Sequence, residues 1–445
     1  MASWHLQQIN NSDSPAIPDE YVATNGPLAG FVLADGIPFQ SFEPGCVFVS
    51  VCEDQQHFSY IDPNANIQDA WYDPSGWHIQ QINNPGNPSI PGEYVATNGP
   101  VAATGRSPFI SVYNGQQHFV YLDTHGNIQD AWYDPSGWHL QQINNPGNPS
   151  VRGEYVATNG PATDATPFVS VYNNQQHFTY LDNNSNIQDA WYDPSGWHLQ
   201  QINNPGAPSL PGEYVATNGP VAYATLFVST YNDQQHFTYI EANGNIQDAW
   251  YDPRGWHLQQ INNPGAPSIP GEYVATNGPA ARSDSSLFVA VYNNQQHFTY
   301  IDNNHNLQDA WWDGDANVWK LQQISNSKGP TIPDEYSATE GPEVARQVNA
   351  SLFVSVYNNQ QHFAYIDGNY NIQDAWWDGD TNVWKLQQIN NSSNPTINGE
   401  YAATNGPPLA VGEVAIFSLF VSVYNDQQDF TYVDNNGNIQ DAWYG

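Results

Sequence analysis

The pentad Ile/Leu-Gln-Asp-Ala-Trp recurs seven times in this 445-residue chain, with its tryptophan at Trp71, Trp132, Trp191, Trp250, Trp311, Trp376 and Trp443. Successive copies are 61, 59, 59, 61, 65 and 67 residues apart. A repeat near sixty residues that accounts for the whole chain overrides the domain count that length alone would give. It marks an array in which each unit buries its faces against its neighbours. The termini tighten the constraint: the chain ends on "NIQDAWYG" and opens on "MASWHLQQIN", and such strings lie side by side inside it, as in "NIQDAWYDPSGWHLQQIN" over 186–203.

Each unit parses into four short runs, in the third "FVSVY" from Phe168, "QHFTYLD" from Gln176, "NIQDAWYD" from Asn186 and "WHLQQIN" from Trp197. They are rich in β-branched and aromatic residues and are separated by turn clusters such as "NN", "NNSN" and "DPSG", so all four read as strands. No helical period is present. The fourth run is followed by "NNPGAPSLPGEYVATNGP" or a variant, whose Pro and Gly exclude a regular ladder and make a long connection. Insertions collect there, at 28–47 and 341–351, as expected of a rim loop.

Four antiparallel strands per unit, seven units and no helix predict an all-β, seven-bladed β-propeller forming a single domain over 1–445. The blades fall at about 46–84, 108–145, 167–204, 226–263, 287–326, 352–391 and 419–445, the last completed by 1–11. The C-terminal unit lacks a fourth run, and the N-terminus opens on an orphan one, Trp4 to Asn10. Four residues separate Tyr from Trp in most copies, and joining end to start leaves Gly445, Met1, Ala2 and Ser3 between Tyr444 and Trp4. The two ends are therefore expected to complete one blade, which removes the exposed sheet edges of a linear array and staples the termini.

Eight Lys and Arg against 44 Asp and Glu leave a net charge of −36, which repels phosphate backbones and anionic membrane surfaces and makes nucleic acid an unfavourable partner. Charged residues are only 12% of the chain and aromatics 14%, so this is no solvating acidic tail. Its polarity comes from Asn, Gln, Ser and Thr, which suits neutral polar ligands. Cys46 and Cys52 both fall in the first unit, so no repeated disulfide or cysteine-based metal framework is expected and both read as buried or unused thiols. No basic start leads into an apolar run, and no stretch approaches 18 apolar residues. The expectation is cytosolic synthesis without a leader or membrane insertion, and release, where it occurs, by a route that needs no leader.

Strand alternation places the Asp and the Tyr of "NIQDAWYD", three positions apart, on opposite faces of a blade. Asp69 then looks toward one neighbour and Tyr72 toward the other, so each groove receives an Asp from one blade and a Tyr or Trp from the next. The His of "QQH" lies on the preceding strand and the Trp of "SGWH" opens the following one. Carboxylate, imidazole and paired aromatics suit a sugar, whose hydroxyls need polar partners and whose C–H face needs a flat ring. The same residue types also build structural networks inside blades. Trp77 and its equivalents, which follow a Gly turn, are the better ligand candidates, whereas Trp71 and its equivalents read as packing.

This pattern resembles the propeller lectins of the fungal and bacterial fucose-binding type, including the seven-bladed lectins of insect-pathogenic bacteria, across all seven units. Blades of that family carry an Arg on the second strand, a Glu on the third, an aromatic three residues later and a Trp five residues beyond. Here Asp69 falls at the Glu position, Tyr72 at the aromatic, Trp77 at the Trp and His57 near the Arg. The family joins the polar pair of one blade to the aromatics of the next. The resemblance thus implies sites of His57 and Asp69 with Tyr133 and Trp138, of His118 and Asp130 with Tyr192 and Trp197, and of His177 and Asp189 with Tyr251 and Trp256. It further implies His236 and Asp248 with Trp312 and Trp319, His297 and Asp309 with Trp377 and Trp384, and His362 and Asp374 with Tyr444 and Trp4. No unit carries the Arg, and Asp is one methylene shorter than Glu, so the sugar stays open between fucose and a related neutral one. In the last copy Asp429 replaces the His, and the groove of Asp429 and Asp441 with Tyr72 and Trp77 is expected to be empty or altered.

A multivalent lectin that agglutinates glycoconjugates through repeated weak sites is the function implied, without catalysis or cofactor. A hydrolase on this scaffold would need one asymmetric carboxylate pair, where the chain offers seven nearly equivalent Asp positions. A protein-interaction propeller would vary its blades, and these are nearly identical. Asp313, Asp315 and Asn317 resemble the start of a calcium loop but lack its later Glu, so they are read as a polar turn rather than a metal site. If His57 and its counterparts hold the sugar, affinity should change between about pH 5 and 7.

Overall fold

The computed structural model describes residues 3–18, 21–32, 42–43, 47–92, 94–103, 108–152, 155–212, 214–223, 225–271, 273–283, 286–332, 337–346, 352–398, 401–409 and 419–445. Cys46, Met1, Ala2 and much of the two insertion-bearing lead-ins lie outside these residues. Seven four-stranded antiparallel sheets account for the repeats. The first blade comprises Val47–Cys52, Gln55–Ile61, Ile67–Asp73 and Gly76–Gln81, and the third Phe168–Tyr172, Gln175–Leu181, Ile187–Asp193 and Gly196–Gln201. Asn173 and Asn174, at φ of 50° and 57°, form the tight hairpin between the first two strands of the third blade, a left-handed pair that asparagine tolerates and that matches strand twist.

The chain ends meet as expected. Trp4–Gln8 pairs antiparallel with Ile439–Tyr444, Trp4 opposite Tyr444 and Gln8 opposite Gln440. Trp197 and Gln201 stand opposite Tyr192 and Gln188 in the same register within the third blade. Ser3 and Gly445 exchange backbone hydrogen bonds of 2.8 and 3.0 Å across the junction.

The innermost strands close a ring. Phe48, Phe109, Phe168, Phe227, Phe288, Phe353 and Phe420 form an unbroken circle of aromatic contacts, with centroids 4.6–4.9 Å apart and planes inclined at 50–55°. A sevenfold ring turns by about 51° per blade, so the inclination is the blade rotation itself. Around this circle, Gln117 Nε2 donates to Ser50 Oγ of the preceding blade at 3.1 Å, and five equivalent bonds span 2.9–3.2 Å. The seventh is missing because Ala290 stands at the serine position, which leaves Gln361 Nε2 buried without a partner. Six tyrosine hydroxyls also reach the next blade, as Tyr113 does to the Asn174 carbonyl at 3.0 Å. Cys52, a buried free thiol, occupies that position in the first blade.

The hydrophobic core lies between blades. Ile61, Ile67 and Ile82 of the first blade pack with Phe119, Tyr121 and Ala131 of the second, and Trp138 and Leu140 lean against them. Each such aliphatic or aromatic side chain contributes about 1.5–3 kcal/mol when fully buried. The face of each blade that carries the Phe, Tyr, fourth-strand Trp and Leu therefore abuts the preceding blade's other face. Each connection forms one parallel bridge to the fourth strand, Gln142 to Val156 in the second blade, which covers the outer edge of the sheet.

Candidate functional site

Register decides which side chains meet. His57 stands opposite Trp71, and Ser59 opposite Asp69, so the His and the Asp lie diagonally on one face. His57 Nδ1 donates to Asp69 Oδ2 at 2.9 Å, and Ser59 Oγ donates to Asp69 Oδ1 at 2.8 Å. His177 with Asp189, His236 with Asp248 and His297 with Asp309 repeat the bond at 2.8–2.9 Å, with a threonine hydroxyl on the other oxygen. In the second blade Val120 removes the hydroxyl, and His118 Nδ1 lies 3.0 Å from both oxygens of Asp130. In the sixth, Ala364 does so, and Asp374 Oδ1 is buried without a partner beside the 2.9 Å bond from His362.

Five of these imidazoles, at His118, His177, His236, His297 and His362, have a buried Nε2 with no partner. His57 is the most open of the six, its side chain 11% exposed against 6% elsewhere, where Cys52 replaces the tyrosine.

The closing blade breaks the pattern. Asp429 and Asp441 occupy the positions that the His and Asp fill elsewhere, with Thr431 Oγ1 donating to Asp441 Oδ1 at 2.8 Å and Asp429 Oδ2 left without a partner. Burial and the neighbouring Asp441 carboxyl push Asp429 up to about 8. Burial pushes Asp441 up to about 7 against the hydrogen bonds of Thr431 and Gln7. Both carboxyls are thus raised far above the ordinary carboxylate range, by burial and by their closeness to each other.

Toward the rim, the pentad Trp is sandwiched between histidines. Trp71 stacks on His57 at 5.5 Å and on His78 at 5.1 Å, with planes within 20°. His78 Nε2 lies 2.9 Å from Asp73 Oδ1 and 3.0 Å from Ser75 Oγ. The Ser75 hydroxyl, His78 and the Ser75 amide hold Asp73 down to about 2, and Asp134 and Asp193 are held there by the same set. In the fifth and sixth blades Lys320 and Lys385 replace this histidine and pair with Asp313 and Asp378. Asp313 also accepts the backbone N–H of Asp315 and Ala316, so the calcium-like string is tied up as a turn. Among the described residues, no group of three or more His, Cys, Asp and Glu is arranged to hold a metal ion.

On the opposite face, aromatic pairs form corners at the mouths of the grooves. Tyr72–Trp77, Tyr133–Trp138, Tyr192–Trp197, Tyr251–Trp256 and Tyr444–Trp4 have centroids 5.6–5.7 Å apart, and Trp312–Trp319 and Trp377–Trp384 are at 5.9 Å. The tyrosine is about half exposed, as at Tyr192, and the Trp is partly buried against a phenylalanine of its own blade. Two equivalent grooves open into cavities. One of about 330 Å³ is lined by Trp197, His198 and Leu199 of the third blade and by Pro146 and Val156–Asn159 from the connection leaving the second. The other, about 430 Å³, is lined by Trp4, His5 and Leu6 and by Ser392 and Ala402–Asn405.

The structure therefore brings together each expected His–Asp pair and each aromatic pair, and turns them toward the same groove from its two walls. It does not join them: among the described residues, no hydrogen bond or ring contact links His118 or Asp130 to Tyr192 or Trp197, or their equivalents. Within each of the first six blades the His and Asp are bonded to each other beneath the surface. Sequence reasoning missed the Val-Ala-Thr-Asn segment of the connection, whose only signal was its near-invariant repetition, and the stacked histidines around Trp71.

No family model matches the sequence, and no curated protein matches it. Among solved structures the chain is similar to AofleA from Arthrobotrys oligospora, at 13% identity and a TM-score of 0.42 over 78% of this chain and 86% of that one. It is similar to the SapL1 lectin in complex with alpha methyl fucoside at 12% identity and a TM-score of 0.42, over 78% and 95%. The polysaccharide lyase Uly1 aligns at 10% identity and a TM-score of 0.46, over 99% and 97%. Fucose-binding β-propeller lectins thus stand among its structural neighbours, together with a polysaccharide lyase.

Proposed function

We propose that the chain is a multivalent lectin without catalytic activity, which takes terminal monosaccharides of neutral glycans, fucose or a related sugar, in the grooves between blades. The observation that carries this reading is the aromatic corner: seven pairs of near-identical geometry, each presenting a half-open ring at a groove mouth, two of them beside cavities of about 330 and 430 Å³. A flat ring at the edge of a small cavity of mixed polar and apolar lining suits a pyranose, with its C–H face and its hydroxyls. Seven weak sites on one rigid ring gain strength through avidity. The carboxylates speak for binding over hydrolysis, since Asp69 and its six equivalents are buried and hydrogen-bonded within their own blades, and Asp429 beside Asp441 is sealed as well.

A glycan array with labelled protein, run beside tryptophan-fluorescence titrations with free fucose, galactose and N-acetylglucosamine, tests the reading. The expected result is a hit on one terminal sugar, competed by that monosaccharide at millimolar concentration. Silence across several hundred glycans would overturn it in favour of a protein-interaction propeller, and shortened glycans on the array would replace it with an enzyme.

A further inference from the structure

Each connection contains a Thr-Asn-Gly or, once, a Thr-Glu-Gly turn, and its outer two residues are locked. Thr158 Oγ1 donates to the Ile143 carbonyl at 2.8 Å and accepts the Gly160 N–H at 3.1 Å. Gly160 itself lies so close to the Tyr180 hydroxyl of the next blade that no side chain fits there. The same hydrogen bonds and the same close approach recur from Thr24 and Gly26 to Thr404 and Gly406. Between these anchors sits an exposed residue. Asn25, Asn98, Asn159, Asn218, Asn277 and Asn405 are all exposed, and among the described residues none of them forms a hydrogen bond or ion pair within the protein. The neighbouring asparagines are engaged: Asn144 Nδ2 donates to the Pro161 carbonyl and Asn145 Nδ2 to Asn127. A second observation points the turn at a ligand, because Asn159 and Asn405 line the two cavities opposite Trp197 and Trp4.

We propose that this asparagine reads the sugar hydroxyls while the fourth-strand Trp covers the sugar's apolar face, an inference that rests on the lectin reading above. A carboxamide offers two donors and an acceptor on one rigid plane, which matches vicinal hydroxyls that both give and take hydrogen bonds. Anchoring on both sides holds it in place before the ligand arrives, so little ordering is needed on binding. Glu340 takes its place in the groove between the fifth and sixth blades. A carboxylate only accepts, so that groove binds a different set of hydroxyls or the same sugar more weakly.

The sextuple variant N25A/N98A/N159A/N218A/N277A/N405A is the test, read by calorimetry with the monosaccharide that the array identifies and by thermal melting. The expected outcome is a melting temperature within a degree or two of wild type and a sugar affinity weaker by about tenfold, the loss of one or two good hydrogen bonds. Unchanged affinity in a folded variant would overturn the proposal. The single variant E340N supplies an arm that does not depend on removing anything: one additional site of the common affinity should appear, and an unchanged stoichiometry and affinity profile would also overturn it. A wild-type chain that binds no sugar would instead sink the lectin reading itself.

Discussion

Asp429→Asn tests the buried carboxyl pair in the blade that closes the ring. A carboxyl whose pKa is raised on folding takes up a proton as the chain folds. Its stabilising contribution is complete below the unfolded value, near 4, and is lost as pH rises through the folded value. Asp429 is raised to about 8 and Asp441 to about 7, so the window of loss runs from about pH 4 to 8. Stability falls by about 1.4 kcal/mol per pH unit for each proton that the native pair keeps and the unfolded chain has released. The variant keeps Asp441 with its Thr431 bond and removes one titrating group. Its stability relative to wild type should therefore rise with pH by about 3 kcal/mol between pH 5 and pH 7. Urea unfolding of both proteins at pH 5, 6 and 7, followed by tryptophan fluorescence, measures the difference, and the other titrating groups cancel in the comparison. A difference that stays constant over that range would refute the raised Asp429 carboxyl. The side chains that hydrogen-bond to the pair are Thr431 and Gln7, both neutral. Among the described residues, no cation acts on either carboxyl to hold it ionised.

Two further substitutions probe the blade interfaces. Ala290→Ser restores the hydroxyl that the other six interfaces give to their glutamine, and pairing the orphaned Gln361 Nε2 should stabilise the chain by about 1 kcal/mol in urea unfolding. Gly160→Ala puts a methyl group into the Tyr180 hydroxyl, and should cost about 1–3 kcal/mol in the same assay through overpacking of a sealed interface.

The repeat period, the turn clusters and the split fourth strand made the propeller legible, because each is a local property of the chain. The four-residue count across the termini anticipated the Ser3–Gly445 pairing. Alternation likewise placed Asp69 and Tyr72 on opposite faces. What alternation does not contain is the register between neighbouring strands. His57 opposite Trp71, and Asp69 opposite Ser59, put the His and Asp diagonally within bonding distance of one another, so they satisfy each other and leave the rim to Trp71 and His78. The Thr-Asn-Gly turn was hidden for a different reason: it looks like one more polar stretch in a Pro- and Gly-rich connection until the Tyr180 hydroxyl is seen against Gly160.

That contrast bears on how internal repetition is to be read. Near-identity of the buried positions follows from geometry, since every blade must present the same face to the next one and each interface is a nearest-neighbour contact. Single departures at such positions leave a visible defect: Ala290 orphans Gln361, Ala364 orphans Asp374 Oδ1, and Asp429 forces two carboxyls together. Repetition of the His, the Asp or the Phe therefore says little about ligands. An exposed asparagine with no bond to the protein is under no packing constraint, and its loss would orphan nothing. Its recurrence in six of seven connections is a regularity that the interfaces do not require, and that regularity, rather than the repetition of the buried polar pair, is the starting point of the proposal above.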